Sequence, residues 1–410
     1  GVRLVGSEMC IRDSNKARLV TTAPRICVRY ECVPMRFIKH VYKIHTYAQD
    51  GRLFEGKTPV SAFLNSSYDG SFIAGLMELR YIQSLPVERI INYFESHGFT
   101  LKKPTAHKLM EKASSLFENL YKCIRQTALS DPYKAADETY YKILVPEKNS
   151  KGKGVRKGYL WVVVGINTRM IYLLYDDGSR SEKVILNELG GCKGIIQSDG
   201  YSPYRKLESD AYPHITRIPC LQHIKRKFID CGEDDPDAKR IVEMINTLYQ
   251  NEHKHKIGVD GWTVEQNLVH RKKYAPDILG EIKDVLDDIE ERGDLLPKSE
   301  LKEAITYLRN EWNAVVDIFN YGDTYLDNNI VERMNRYISL SRKNSLFFGS
   351  HKGAERGAIL YTIALTCRMN KVNLFEYLTD VINRTAEWQP NTPLEKYRQL
   401  LPDRWEKAND

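Results

Sequence analysis

The chain has 410 residues, 42% of them hydrophobic and 28% charged, which excludes wholesale disorder and leaves room for about two or three domains. Lys and Arg outnumber Asp and Glu by 61 to 54, a net of +7 that permits a nucleic-acid partner without requiring one. No uncharged apolar run reaches the roughly 18 residues of a membrane helix, so no membrane partner is expected.

The eight cysteines stand at Cys10, Cys27, Cys32, Cys123, Cys192, Cys220, Cys231 and Cys367 and form no C-x-x-C pair. They read as reduced cytosolic thiols rather than as a disulfide framework or a zinc ribbon.

In chain order, Gly1–Ser14 (GVRLVGSEMCIRDS) reads as a translated adapter and is set aside from fold reasoning, and with no initiator Met the chain reads as a fragment. Arg25 to Thr46 is basic and rich in Tyr and Val, suiting short strands or irregular structure. Gly51–Thr58 (GRLFEGKT) has the spacing of a phosphate-binding loop. It follows Gln49-Asp50 rather than a buried strand, and Pro59 comes directly after it, so it reads as a chance match in a loop.

Residues 71–130 are predicted helical. Leu85, Ile90, Ile91 and Phe94 lie near helix spacing, His97–Thr100 breaks the pattern, and Leu109, Ala113, Leu116 and Phe117 resume it. The outline is a plain helical hairpin or a helix-turn-helix, with Lys102, Lys103, Thr105, His107 and Lys108 opening the second helix.

The periodicity then changes. Asp137–Val145, Tyr159–Val164 and Met170–Tyr175 read as three strands, and Ser181–Leu189 as a helix. Gly194–Ser198 reads as a buried strand, Tyr204–Glu208 as a helical turn, His214–Ile218 as a strand and Leu221–Phe228 as the start of a helix. A meander followed by βα crossovers over residues 131–231 is the order of an α/β ribonuclease-H-like core. Residues 232–322 read as an α-helical insertion with 20 acidic against 12 basic residues, leaving the remainder more basic than the whole. Asp327–Leu340, Tyr361–Cys367 and Leu374–Arg384 are predicted helices within residues 323–385, and the tail, 386–410, is read as irregular.

Among 54 acidic residues a triple of carboxylates means nothing by itself; placement raises its weight. Asp137 is expected at the start of the first core strand. Asp199 is expected at the end of the fourth, before a glycine, where sites form in open α/β sheets. Glu332 is expected in a later helix after Asp327-Asn328-Asn329. Converging carboxylates repel unless cations lie between them, and hard oxygen donors suit Mg²⁺ or Mn²⁺. Two such ions serve an in-line displacement at phosphorus. Taken singly, Asp199 could make a turn and Glu332 could pair with Arg336; only the set points to metal. Basic residues lie nearby in sequence: Lys153 and Lys157 in a Gly-containing loop, Lys225, Arg226 and Lys227 after His223, and Arg333, Arg336, Arg342 and Lys343 after Glu332. Such groups suit DNA phosphates.

Ala136-Asp137-Glu138-Thr139, Lys157–Val162, Gln197–Tyr201, Cys220–Phe228 (CLQHIKRKF), Asp327–Ser350 and Gly353–Arg356 occur in this order. Through these stretches the chain resembles bacterial transposases of the insertion-sequence 66 family over roughly residues 60–405. The resemblance implies a DDE-type transposase with a ribonuclease-H-like core, a helical insertion and two divalent ions, Mg²⁺ or Mn²⁺. It implies Asp137, Asp199 and Glu332 as catalytic and metal-binding residues, with His223 and Arg226 supporting them. DNA, as element ends and target, would be the partner of a homo-oligomer in the bacterial cytoplasm at the nucleoid, with accessory proteins of the same element. The family's Cys-rich N-terminal region is absent or degraded in 15–70, where Lys43-Ile44-His45 stands in place of a second Cys pair. The rival readings are an ATPase or ATP-dependent DNA protein resting on Gly51–Thr58, a non-catalytic DNA-binding protein resting on the helical hairpin, and an inactive transposase remnant.

Overall fold

A computed structural model describes residues 35–50, 52–56, 61–63, 66–148, 152, 154–232, 234–389 and 391–407. The adapter-like opening and residues 25–34 of the Arg25–Thr46 stretch lie outside the described residues, as do Gly51, Lys57 and Thr58 of the phosphate-loop match. The chain divides into two units, Gly1–Lys39 and His40–Asp410, and the second is described below.

Strands β1 (Thr46–Gln49) and β2 (Arg52–Glu55) pair antiparallel as a hairpin. The interior of the phosphate-loop match is therefore strand rather than a loop that wraps an anion. Four helices follow: α1 (Gly70–Tyr81), α2 (Val87–Ser96), α3 (Lys103–Leu116) and α4 (Glu118–Leu129). The predicted hairpin corresponds to α2 and α3, with Leu85 lying before α2. Lys103, at the start of α3, pairs with Glu88 of α2.

The central sheet contains β3 (Tyr133–Leu144), β4 (Val155–Gly165), β5 (Met170–Leu174), β6 (Gly194–Ser198) and β7 (Ile215–Pro219), in the order β5-β4-β3-β6-β7. The first three are antiparallel, and β6 and β7 run parallel to β3. This is a mixed sheet in an α/β protein. Leu160–Val164 is buried throughout, the continuous apolar run of a strand covered on both faces. Helix α5 (Glu182–Leu189) leads into β6; α6 (Ser202–Arg205) and a 3₁₀ turn, Lys206–Glu208, lead toward β7.

Strand β3 begins at Tyr133, not at the expected Asp137. Its first residues pair with β6, through Tyr133↔Ile195, Lys134↔Ile196 and Ala135↔Gln197. Lys134 hides this in the sequence, because a lysine interrupts the apolar pattern. It is fully buried, and its ammonium donates to the carbonyl oxygens of Asp131 and Lys193. Asp137 therefore lies inside the strand.

After β7 come α7 (Leu221–Ile229), α8 (Pro236–Glu252), α9 (Val264–Glu291) and α10 (Glu300–Ile318). Each of the last three starts on a side-chain cap: Asp235 for α8, a Thr263/Gln266 capping box for α9 and Ser299 for α10. Their apolar faces join Tyr133, Ile195, Ile218, Leu221 and Phe228 in one continuous core, so the helical block is welded to the sheet.

The chain returns as α11 (Asn329–Asn344), α12 (His351–Met369), α13 (Leu374–Thr385) and α14 (Leu394–Arg398). The tail expected to be irregular thus holds a short helix, and α12 starts well before the expected Tyr361. Helix α12 packs on β5, where Thr366 Oγ1 accepts from Ile171 N at 3.2 Å and donates to Ile171 O at 2.9 Å. Thr362 Oγ1 accepts from Leu173 N at 2.9 Å, and Tyr121 Oη donates to Leu173 O at 2.9 Å. Among the described residues, no helix is long and apolar enough to cross a membrane.

Thr366→Val keeps the shape of the side chain but leaves both Ile171 backbone groups without partners. The expected loss is about 1–3 kcal/mol of stability, measured by urea denaturation against Thr366→Ser, which should fall close to the parent.

Candidate functional site

Two carboxylates meet through strand register. The β3–β6 pairing runs as far as Ala135↔Gln197. Two residues further along each chain stand Asp137 and Asp199, near enough for the Asp199 charge to act on the Asp137 carboxyl. Asp199 follows the last residue of β6, where the chain turns away. Its Oδ1 accepts from Tyr201 N at 3.1 Å, so the turn-forming reading holds for one oxygen. The turn is a tight one: a Cβ on Gly200 would lie 2.5–2.7 Å from the Tyr307 ring and hydroxyl.

Asp137 Oδ1 accepts from Glu138 N at 2.8 Å and Oδ2 from Asn335 Nδ2 at 2.6 Å. Burial, then the neighbouring Glu138 and Asp199, push its carboxyl up to about 8. Glu138, on the opposite face of β3, is also raised, chiefly by burial. It is held by Arg180 Nε at 3.0 Å and Tyr204 Oη at 3.3 Å. Arg180 lies 4.2 Å from the Tyr201 ring centre, covering that side.

The third acid arrives on α11. Asn328, which precedes the helix, does not cap it, contrary to the N-cap expectation. Its Nδ2 donates instead to Ala136 O at 2.9 Å. Asn328, Glu332 and Asn335 are spaced to share one helix face, and the two asparagines bond to β3 at Ala136 and Asp137. Glu332 lies between them. Among the described residues its ion-pair neighbour is His223 on α7, with Nδ1 and Oε1 3.6 Å apart, and not Arg336. Cys220 completes a cluster in which Sγ, an imidazole nitrogen and a carboxylate oxygen lie within 4.8 Å of one another. A Cys-His-Glu set could suggest zinc. Its Sγ also accepts from Asn328 N at 3.2 Å, and burial pushes the thiol up to about 12. The thiol is thus tied into the entry of α11.

Four buried polar atoms here lack a hydrogen-bond partner among the described residues: Glu332 Oε1, Asn335 Oδ1, Asn328 Oδ1 and His223 Nδ1. Three are oxygen acceptors, and they line the helix face that meets Asp137. Together with carboxylates that repel one another, this donor set fits hard divalent cations and their water shell.

The remaining predicted residues spread outward. Arg226, Lys227, Arg333, Arg336 and Lys343 are exposed, and Lys225 is half-buried. Lys225 Nζ lies 6.0 Å from the Tyr249 ring centre and Lys227 Nζ 5.9 Å from that of Tyr307. Arg342 turns inward, stacking 3.9 Å from the Tyr140 ring centre and donating to Tyr140 O, so its fork is committed to β3. Lys157 lies 4.6 Å from the same ring centre. Lys153 is outside the described residues. Sequence reasoning missed Asn328 and Asn335 as the contacts of α11 to β3, and Glu138, Arg180 and Tyr307 around the two aspartates. The Asn328/Glu332/Asn335 spacing carried the first signal.

A carboxyl raised to about 8 binds a proton in the folded state that it has lost when unfolded. Between its usual pKa of roughly 3.9 and about 8 the folded state holds more protons, so stability falls as pH rises through that window. In EDTA, Asp137→Asn should therefore melt a few degrees above the parent at pH 8, with the gap closing toward pH 4. Equal melting curves at both pH values would contradict the buried, repelled state of Asp137.

The family model "Transposase IS66 family" matches residues 65–356. Three proteins of Sinorhizobium fredii (strain NBRC 101917 / NGR234) are similar. The uncharacterized protein y4jD is 26% identical over 81% of this chain and 65% of its own length. The uncharacterized protein y4hP is 24% identical over 96% of this chain and 73% of its own. The uncharacterized protein y4qI is 26% identical over 90% and 69%. The chain thus spans less than two thirds of y4jD. With the family model covering well over half of its residues, the chain belongs to the IS66 family of transposases.

Proposed function

We propose that this chain carries the catalytic core of a DDE-type DNA transposase, built on a ribonuclease-H-like fold, that cleaves DNA strands and joins the freed ends to a target. The observation that carries the reading is the register setting Asp137 beside Asp199, with the Glu332 face of α11 bonded to the same stretch of β3. Asp137, Asp199 and Glu332 would hold the ions. Two divalent cations, Mg²⁺ or Mn²⁺, would supply activation of the attacking oxygen and stabilisation of the leaving one at phosphorus.

The protein's own groups do the rest. The buried asparagines fix α11 against β3 and so set the reach of Glu332. His223 stands against the Glu332 carboxylate, with Nδ1 3.6 Å from Oε1, and helps to place it. Arg226 and Lys227 on α7 and Arg333, Arg336 and Lys343 on α11 offer exposed cations on the helices that carry His223 and Glu332, where they would neutralise phosphates and position the duplex. The in-line attack needs no serine or tyrosine nucleophile: water cuts the strand, and the 3′-hydroxyl it frees attacks the target. The expected partners are element ends and target DNA, held by at least two copies of the protein at the bacterial nucleoid, with accessory proteins of the same element.

The test is Mg²⁺- or Mn²⁺-dependent nicking of a supercoiled plasmid carrying the DNA that flanks this gene. Asp137→Asn, Asp199→Asn and Glu332→Gln should each cost more than the roughly 10–100-fold typical of a supporting residue, whereas His223→Ala should stay within that range. DNA binding should survive in all four. Wild-type protein that binds DNA but never nicks it would leave a non-catalytic DNA-binding protein or an inactive remnant. A folded single mutant with full cleavage would remove that acid from the set.

Replacing Arg333, Arg336 and Lys343 together by Gln should flatten the dependence of log K on log salt by roughly 2–3. Fluorescence anisotropy over a KCl series measures this. An unchanged slope would move the DNA path off α11.

A further inference from the structure

We infer that the acidic helical block holds the second acid in place: Tyr307 and Glu311 of α10 are positioning residues for Asp199. The inference rests on the reading of Asp199 as a metal-binding acid.

Two contacts from one face of α10, a turn apart, reach the residues around Asp199. The Tyr307 hydroxyl accepts from Gly200 N at 2.8 Å, and its ring lies so close to Gly200 that no side chain fits there. Glu311 is almost fully buried and accepts from Arg217 Nη2 at 2.6 Å. The same Nη2 donates to the Asp199 carbonyl oxygen at 2.7 Å, and Arg217 Nε donates to Ser198 Oγ at 3.1 Å. The Arg217 side chain is wholly buried, and its remaining arm pairs with Glu208 of the 3₁₀ turn. One guanidinium thus ties the end of β6, the turn after β7's neighbour and α10 into a single unit.

The network ends on the Ser198 hydroxyl and on the backbone of Asp199 and Gly200, and never on the Asp199 carboxylate. That carboxylate keeps one oxygen in the Tyr201 turn, while its Oδ2 has no hydrogen bond among the described residues. The backbone is fixed and one oxygen is left for a ligand. A bond that served only to close the turn could come from any local group; these come from a helix more than a hundred residues away in sequence. Loosening them would let the Asp199 backbone drift, and Asp137 would lose its neighbour. Metal affinity should then fall before the fold does.

The test compares Mn²⁺ binding by the full-length chain, read from the free-ion electron paramagnetic resonance signal, with the Mg²⁺ dependence of plasmid nicking. Tyr307→Phe keeps the ring and loses the acceptor. Glu311→Gln keeps the shape and loses the charge, and it guards against misfolding of the first variant. Both should weaken Mn²⁺ binding about 10–100-fold and raise the Mg²⁺ needed for half-maximal nicking by the same factor, with nicking recovering at saturating metal. A purely structural role would lower the melting temperature while Mn²⁺ binding stayed within about twofold of wild type, and that result overturns the inference. If Asp199→Asn itself binds Mn²⁺ like the parent, the reading of Asp199 fails and the inference fails with it. If Asp199→Asn loses binding while both α10 variants keep it, the inference alone fails.

Discussion

Burial of the Asp137 carboxyl, with Glu138 and Asp199 close by, is the constraint around which the rest is arranged. A carboxyl taken out of water beside other acids resists ionisation unless it is compensated. The protein answers on three sides. Asn335 donates to Asp137, Arg180 holds Glu138 behind it, and the Asp199 backbone is fastened from below by Arg217. None of these places a positive charge directly between the two aspartates. The raised Asp137 carboxyl records the compensation still outstanding.

The helical block is long, acidic and inserted between β7 and α11, yet its core is continuous with that of the sheet. Arg271, buried without exposure in α9, binds Glu252 of α8 together with the Thr324 hydroxyl and carbonyl oxygen. That segment leads directly into Asn328 and α11. The block therefore meets the acids at two points: through α10 at Asp199 and through the approach to α11 at Glu332. Breaking a buried, hydrogen-bonded charge of this kind is costly, since the partner is stranded without water.

Much of this was legible in the sequence. The antiparallel strands, the parallel pair and the long helices announce themselves by periodicity and by caps such as Thr263 and Gln266. The ends of elements were harder. Lys134 disguised the start of β3, because only the structure supplies the carbonyl oxygens that make a buried lysine tolerable. Asn328 looked like a helix cap and serves as a cross-link to β3, since local spacing cannot reveal a partner 192 residues away. The acids were nameable as a set, but Tyr307, Glu311 and Arg217 were not. Their roles depend on a tertiary meeting of α10 with the end of β6, which carries no local signature.

The treatment of β5 has a consequence for assembly. In an edge strand the outward amides and carbonyls would ordinarily invite another strand. Here the outward groups of Ile171 and Leu173 are all taken, by Thr366, Thr362 and Tyr121. The sheet cannot grow from this side by borrowing a strand from a neighbour. Any contact between copies of the protein would have to be made by a route other than backbone zippering at β5, and crowding would not template cross-strand aggregation there.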